Sequence, residues 1–73
     1  MNKTIYSRDH KVLIARIKKA REAAGLQQQD VARLLKRTQS YVSKLESGQR
    51  RVDVVQLKSL ARIYKKDMGY FIG

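Results

Sequence analysis

The 73 residues contain no cysteine and no proline, one histidine, one phenylalanine and no tryptophan. Without cysteine there is neither a disulfide nor a thiolate metal site, and a lone histidine cannot build a histidine metal cluster. No metal and no cofactor is therefore expected, and His10, near a helix start, reads as a solvated polar residue. No apolar run approaches the ~18 residues that cross a bilayer, and no secretory apolar segment opens the chain. A cytoplasmic chain with no membrane partner is the expectation. Glycine-rich phosphate loops are missing too, and the few acids look like helix caps or half of an ion pair, so the chain does not read as an enzyme.

Acidic residues are also scarce. Six Asp and Glu stand against 17 Lys and Arg, a net charge of +11, and the isoelectric point is about 10.5. Such an excess draws a protein to polyanions by counterion release and electrostatic steering; an acidic protein or an anionic membrane surface would use the same charge. A chain of this length forms one small domain that buries only about 60% of its unfolded surface, which leaves no room for a deep substrate cavity.

With only four glycines and no repeat, the pattern predicts a compact all-helical chain with short connections. Residues 1–8 have few apolar positions and read as a loose basic arm carrying Lys3 and Arg8; residues 9–73 read as the folded domain. A first helix is predicted from about Asp9 to Ala24, capped by Ser7 or Asp9 and ended by Gly25. Leu13, Ile17, Ala20 and Ala24 form its apolar stripe, with Ile14 and Arg21 at the border. A second helix runs from about Gln28 to Leu35 and buries Val31, Ala32 and Leu35. Thr38 is a suitable N-cap for a third helix at about 39–47, which Gly48 ends. Asp53-Val54-Val55-Gln56 fits a capping box, Asp53 capping a fourth helix and Gln56 reaching back to it. Leu57, Leu60, Ala61 and Tyr64 line that helix as far as about Lys65, and Asp67 caps a last turn with Met68, Phe71 and Ile72. Those three read as a core lid, or else as a dimer contact or domain junction.

The third helix separates two chemistries. At about 100° per residue, Gln39, Ser40, Ser43, Lys44 and Ser47 share one face while Tyr41, Val42, Leu45 and Glu46 share the other. Gln and Lys can bond base edges in a DNA major groove, Ser is adaptable, and no acid on that face repels phosphate. Taken alone, the helix fits an ordinary solvated face equally well.

Gly25-Leu26-Gln27-Gln28-Gln29-Asp30-Val31-Ala32 followed by Thr38-Gln39-Ser40-Tyr41-Val42-Ser43-Lys44-Leu45-Glu46-Ser47-Gly48 resembles the phage repressor and Cro-like (XRE-type) helix-turn-helix family, with matching positions over roughly residues 13 to 72. The resemblance implies a lambda-repressor-like domain of five helices whose third lies in the major groove of double-stranded DNA. It implies base contacts by Gln39, Ser40 and Lys44 with Ser43 close by, a phosphate grip by Gln28, and a backbone clamp by Ser47, Gln49, Arg50 and Arg51. It pairs Arg21 with Glu46 in a partly buried ion pair, and it points to a bacterial or phage origin. One position departs from the pattern. The family's turn glycine is replaced by Lys36, followed by Arg37; either the turn is adjusted or a left-handed lysine is offset by cations near phosphate and the second helix's C-terminus.

The leading expectation is a sequence-specific transcriptional regulator acting as a homodimer, at least on DNA. The alternative is an antitoxin or adaptor whose main partner is another protein, docked through an apolar C-terminal end around Tyr70 and Phe71, with DNA binding for autoregulation. Non-specific nucleic-acid or RNA binding fits the charge but not the Gln and Ser pattern or the low aromatic count.

Overall fold

The computed structural model describes residues 8–72, and among them the chain is helical with no strand. Its helices are α1 (Arg8–Ala23), α2 (Gln28–Leu35), α3 (Gln39–Glu46), α4 (Val54–Tyr64) and α5 (Met68–Ile72). Residues 1–7 of the expected arm, with Lys3 and the Ser7 cap, lie outside the described residues. Arg8, assigned to the arm from the sequence, is the first residue of α1, and Asp9 sits in the first turn where its charge suits the helix dipole.

Each of the first four helices stops by the same device. A residue in the left-handed region donates its N–H to a carbonyl three residues back, and the next residue donates to one five residues back, which satisfies two otherwise orphaned carbonyls. Gly25 (φ 74°) does this for α1 and Gly48 (φ 83°) for α3. Lysines do it for the others. Lys36 has φ 60° and ψ 43° and Lys65 φ 57° and ψ 44°, with Lys36 N donating to Arg33 O at 3.1 Å and Arg37 N to Ala32 O at 2.8 Å. The turn is therefore not adjusted around Lys36, and the lysine adopts the glycine conformation.

Helix starts are fixed by side chains. Thr38 Oγ1 accepts from Tyr41 N at 3.1 Å, Asp53 Oδ1 from Gln56 N at 2.7 Å, and Asp67 Oδ1 from Tyr70 N at 3.1 Å. The expected reach of Gln56 back to Asp53 does not form, because its Oε1 instead accepts from the Tyr41 hydroxyl at 2.7 Å. Asp30 provides the reach-back instead, accepting from Gln27 N at 2.8 Å at the start of α2.

Every helix contributes to one core. Ile14, Ile17 and Ala20 of α1 pack with Val31 and Ala32 of α2, Val42 and Leu45 of α3, Leu57, Leu60, Ala61 and Tyr64 of α4, and Phe71 of α5. Burying one such large side chain contributes about 1.5–3 kcal/mol. Four assignments from the sequence shift. Ile14 is core rather than border, whereas Leu13 and Leu35 are half-buried, and Ala24 lies exposed beyond the end of α1. His10 is buried at 7% exposure, not solvated, because it sits on the inward face of α1 one turn before Ile14. At the C-terminus Phe71 is a true core residue and Met68 is half-buried, but Ile72 is 64% exposed. Arg16 ties this last helix down, its Nη1 donating to the carbonyls of Tyr70 and Phe71 at 3.4 and 3.3 Å.

Candidate nucleic-acid interface

The exposed side of α3 carries Gln39, Ser40, Ser43 and Lys44, all open to solvent. Its inward side inserts Val42 and Leu45 into the core. The face is held in place at both ends. At the C-terminal end, the buried Glu46 carboxylate accepts from Arg21 Nε at 2.7 Å and from Gln28 Nε2 at 3.1 Å, and Arg21 Nη1 donates to Leu26 O at 2.8 Å. The side chains of Arg21 and Glu46 are only 11% and 3% exposed. One carboxylate thus joins α3 to α1, to the first residue of α2 and, through Arg21, to the α1–α2 connection. Hydrogen bonding to Glu46 raises the Arg21 pKa against the opposing effect of burial, so the guanidinium is a permanent charge.

Gln28 is accordingly engaged. Its amide nitrogen is spent partly on Glu46 and the residue is half-buried, which orients its side chain inward at the α2 N-terminus. Asp30, in the same turn, lies 3.6 Å from the Arg33 guanidinium, an exposed pair of little energetic weight.

At the N-terminal end Tyr41 does the anchoring. Its hydroxyl donates to Gln56 of α4, and two guanidinium groups lie over its ring, Arg37 with Cζ 4.8 Å and Arg50 with Cζ 4.5 Å from the centroid. Such cation–π contacts contribute about 0.5–1 kcal/mol each at exposed sites.

Two depressions flank the exposed face of α3. The smaller, about 240 Å³, is lined by Arg21, Gln27, Gln28, Gln29 and Gln39. The larger, about 410 Å³, is lined by Lys36, Arg37, Thr38, Ser40, Tyr41, Lys44 and Arg50, four cations and no acid. The residues after α3 do not gather at one place. Arg50 belongs to the cationic depression; Ser47 and Gln49 line a third beside His10 and Lys11, and Arg51 lines a fourth between the start of α1 and α5. Ser47 Oγ also donates to Lys44 O at 3.0 Å, and Gln49 N to the same carbonyl at 3.0 Å, so both residues help close α3.

A family profile described as helix-turn-helix matches residues 17–71. The chain belongs to the Cro-like (XRE-type) helix-turn-helix family. No curated protein and no solved structure gives a match. The matched span contains α2 and α3 with their turn, the two helices of the helix-turn-helix, and the family is one of DNA-binding transcription regulators. Among the described residues no helix is long and apolar enough to cross a membrane, and no cluster of His, Cys, Asp or Glu is placed to hold a metal ion.

In and beside this helix-turn-helix unit, three participants were not evident from the sequence. Tyr41 sat on the inward half of the helical wheel, and only its neighbours in space show that its ring also carries Arg37 and Arg50. Gln56 carried a capping signature and spends its side chain on Tyr41 instead. Arg37 stood out only as an oddity of the turn. A tyrosine flanked by arginines at −4 and +9 is a weak signal that a helix break between them makes weaker still.

Proposed function

We propose that the chain is a sequence-specific, double-stranded DNA-binding transcription regulator that acts as a homodimer on a two-fold operator, with α3 lying in the major groove. The observation that carries this reading is the acid-free, solvent-open face of α3, rigidly mounted at both ends and bordered on each side by a polar or cationic depression. Eight residues give a helix about 12 Å long, and a major groove about 12 Å wide accepts it. Gln39 pairs with adenine, Lys44 with guanine, and Ser40 and Ser43 make adaptable contacts. Gln28, Ser47, Gln49, Arg50 and Arg51 address the sugar-phosphate backbone, which sets register without reading sequence. Arg21 and Glu46 hold the scaffold. Two copies place their α3 helices about 34 Å apart, one turn of DNA.

The alternative, an antitoxin or adaptor with a protein partner, relied on an exposed C-terminal apolar end. Phe71 is 2% exposed and Met68 and Tyr70 are half-buried, so Ile72, 64% exposed, is the most open apolar side chain of α5. That reading is left with a smaller apolar surface on α5, centred on Ile72. Binding-site selection from random duplexes at a fixed salt concentration tests the proposal: a two-fold motif with half-sites one turn apart is expected, and an unenriched pool refutes sequence-specific regulation.

A further inference from the structure

Arg37 and Arg50 come from opposite ends of α3, one preceding it and one following it, yet both rest on the Tyr41 ring. Their distances to one centroid place the two guanidinium carbons within about one Debye length of each other at 0.1 M salt, ~10 Å. Like charges at that separation repel, and Lys36 and Lys44 border the same depression. Among the described residues neither arginine is paired with a carboxylate. The described residues therefore assemble a concentrated positive site with no counter-charge among them. A guanidinium whose carbon is held over a ring still carries its five N–H donors, and such donors match the oxygens of a phosphate in fork geometry.

We propose that Arg37 and Arg50, seated on Tyr41, clamp a single phosphodiester of the DNA backbone beside the N-terminal end of α3, and that Tyr41 is the positioning residue of this clamp. The inference rests on the DNA-binding reading and deepens it. It gives a purpose to Arg37, and it makes the register of the recognition helix depend on α4, because Gln56 holds the Tyr41 hydroxyl at 2.7 Å. It also accounts for the parting of Arg50 from Arg51, which faces another depression.

The test uses the full 73-residue chain and two fluorescent duplexes, one carrying the selected motif and one scrambled, titrated by anisotropy between 50 and 200 mM salt. Arg37→Ala and Arg50→Ala are compared with Lys18→Ala, which removes one charge from an exposed α1 position outside the depression. On both duplexes each arginine variant is expected to bind roughly tenfold more weakly and to flatten the dependence of log K on log salt by up to about 0.9, with Lys18→Ala close to wild type. Replacing backbone phosphates one at a time with neutral methylphosphonates in the selected duplex should then reveal one position at which both arginine variants match wild type. Tyr41→Phe keeps the stacking ring and should retain most of the clamp. Tyr41→Leu should lose it at unchanged helical content, and its weaker binding should be insensitive to the same methylphosphonate.

Arginine variants indistinguishable from Lys18→Ala, or coupled to different phosphates, overturn the clamp while leaving sequence-specific binding intact. Equal wild-type affinity for the two duplexes refutes sequence-specific regulation; a flattened salt slope for Arg37→Ala on the scrambled duplex still supports the clamp. No binding to either duplex overturns both.

Discussion

Replacing Glu46 with alanine should be among the most damaging single changes near the recognition helix that leave every exposed DNA-facing side chain untouched. The carboxylate is 3% exposed and receives hydrogen bonds from Arg21 and Gln28. Without it, Arg21 keeps its charge at 11% side-chain exposure with only the Leu26 carbonyl as partner. Removing one member of a buried pair costs about 3–5 kcal/mol, chiefly because the survivor remains desolvated and uncompensated. A domain of this size has a total stability of roughly 4–11 kcal/mol, so the variant loses about a quarter of it or more. Urea denaturation followed by circular dichroism measures the change directly, and the midpoint should fall with little change in slope. In thermal scans the loss corresponds to at least about 12 °C. Lys44→Ala, on the exposed side of the same helix, is the matched control and should stay within about 0.5 kcal/mol. Arg21→Ala combined with Glu46→Ala should cost clearly less than the two singles together, since no stranded charge is left. The pair's alkaline limit is remote. The hydrogen bond to Glu46 raises the Arg21 pKa above its already strongly basic ordinary value, so the contribution is fully present below that ordinary value and fades only as pH climbs through the higher folded one. Equal midpoints for Glu46→Ala and Lys44→Ala would refute the reasoning, because they would mean that the buried pair contributes no more than two solvated charges.

Lys36→Gly should stabilise the fold by about 1 kcal/mol in denaturant titration, by relieving a left-handed lysine at φ 60°, while DNA affinity falls because one cation leaves the depression; a loss of stability would show that the turn needs the lysine. Burial, with a smaller contribution from Glu46, pushes the Tyr64 phenol well above its ordinary pKa of 10. The unfolded chain therefore loses this proton first, and stability should fall by up to about 1.4 kcal/mol per unit as pH rises above 10. Tyr64→Phe should remove that slope and, because the hydroxyl is buried without a hydrogen bond among the described residues, should leave neutral-pH stability equal or higher. Lys44→Ala should relax base preference at one operator position at a cost of about 1–3 kcal/mol, measured by competition between single-base variants of the selected duplex.

The helix starts were legible because a cap is a local event. Thr38, Asp53 and Asp67 each bond an N–H three residues on, and no distant residue has to be known for that to follow. The same locality explains where reading failed. Asp53 and Gln56 satisfy the capping-box pattern, yet Gln56 had a better partner fifteen residues earlier, in the Tyr41 hydroxyl. His10 failed likewise. Its polarity and position near a helix start suggested solvent, but a residue one turn before Ile14 on the inward face of α1 is covered by whatever packs there. Burial is set by neighbours that a helical wheel does not contain.

Lys36 shows the converse, a departure from pattern that changes no backbone. The closing hydrogen bonds of α2, from Lys36 N to Arg33 O and from Arg37 N to Ala32 O, are made by main-chain atoms that any residue has. Glycine lowers the cost of reaching that conformation but does not create it. Since a lysine can close the turn at a cost of about 1 kcal/mol, the side chain at this position is free to serve another end. Here it adds a fourth cation to the depression where Arg37, Arg50 and Lys44 already converge. Lys65 closes α4 in the same left-handed state but does not line that depression. The two lysines thus carry the same backbone strain in different electrostatic settings. Replacing each with glycine separates the terms: both variants should gain stability, and only the Lys36 variant should lose affinity for DNA.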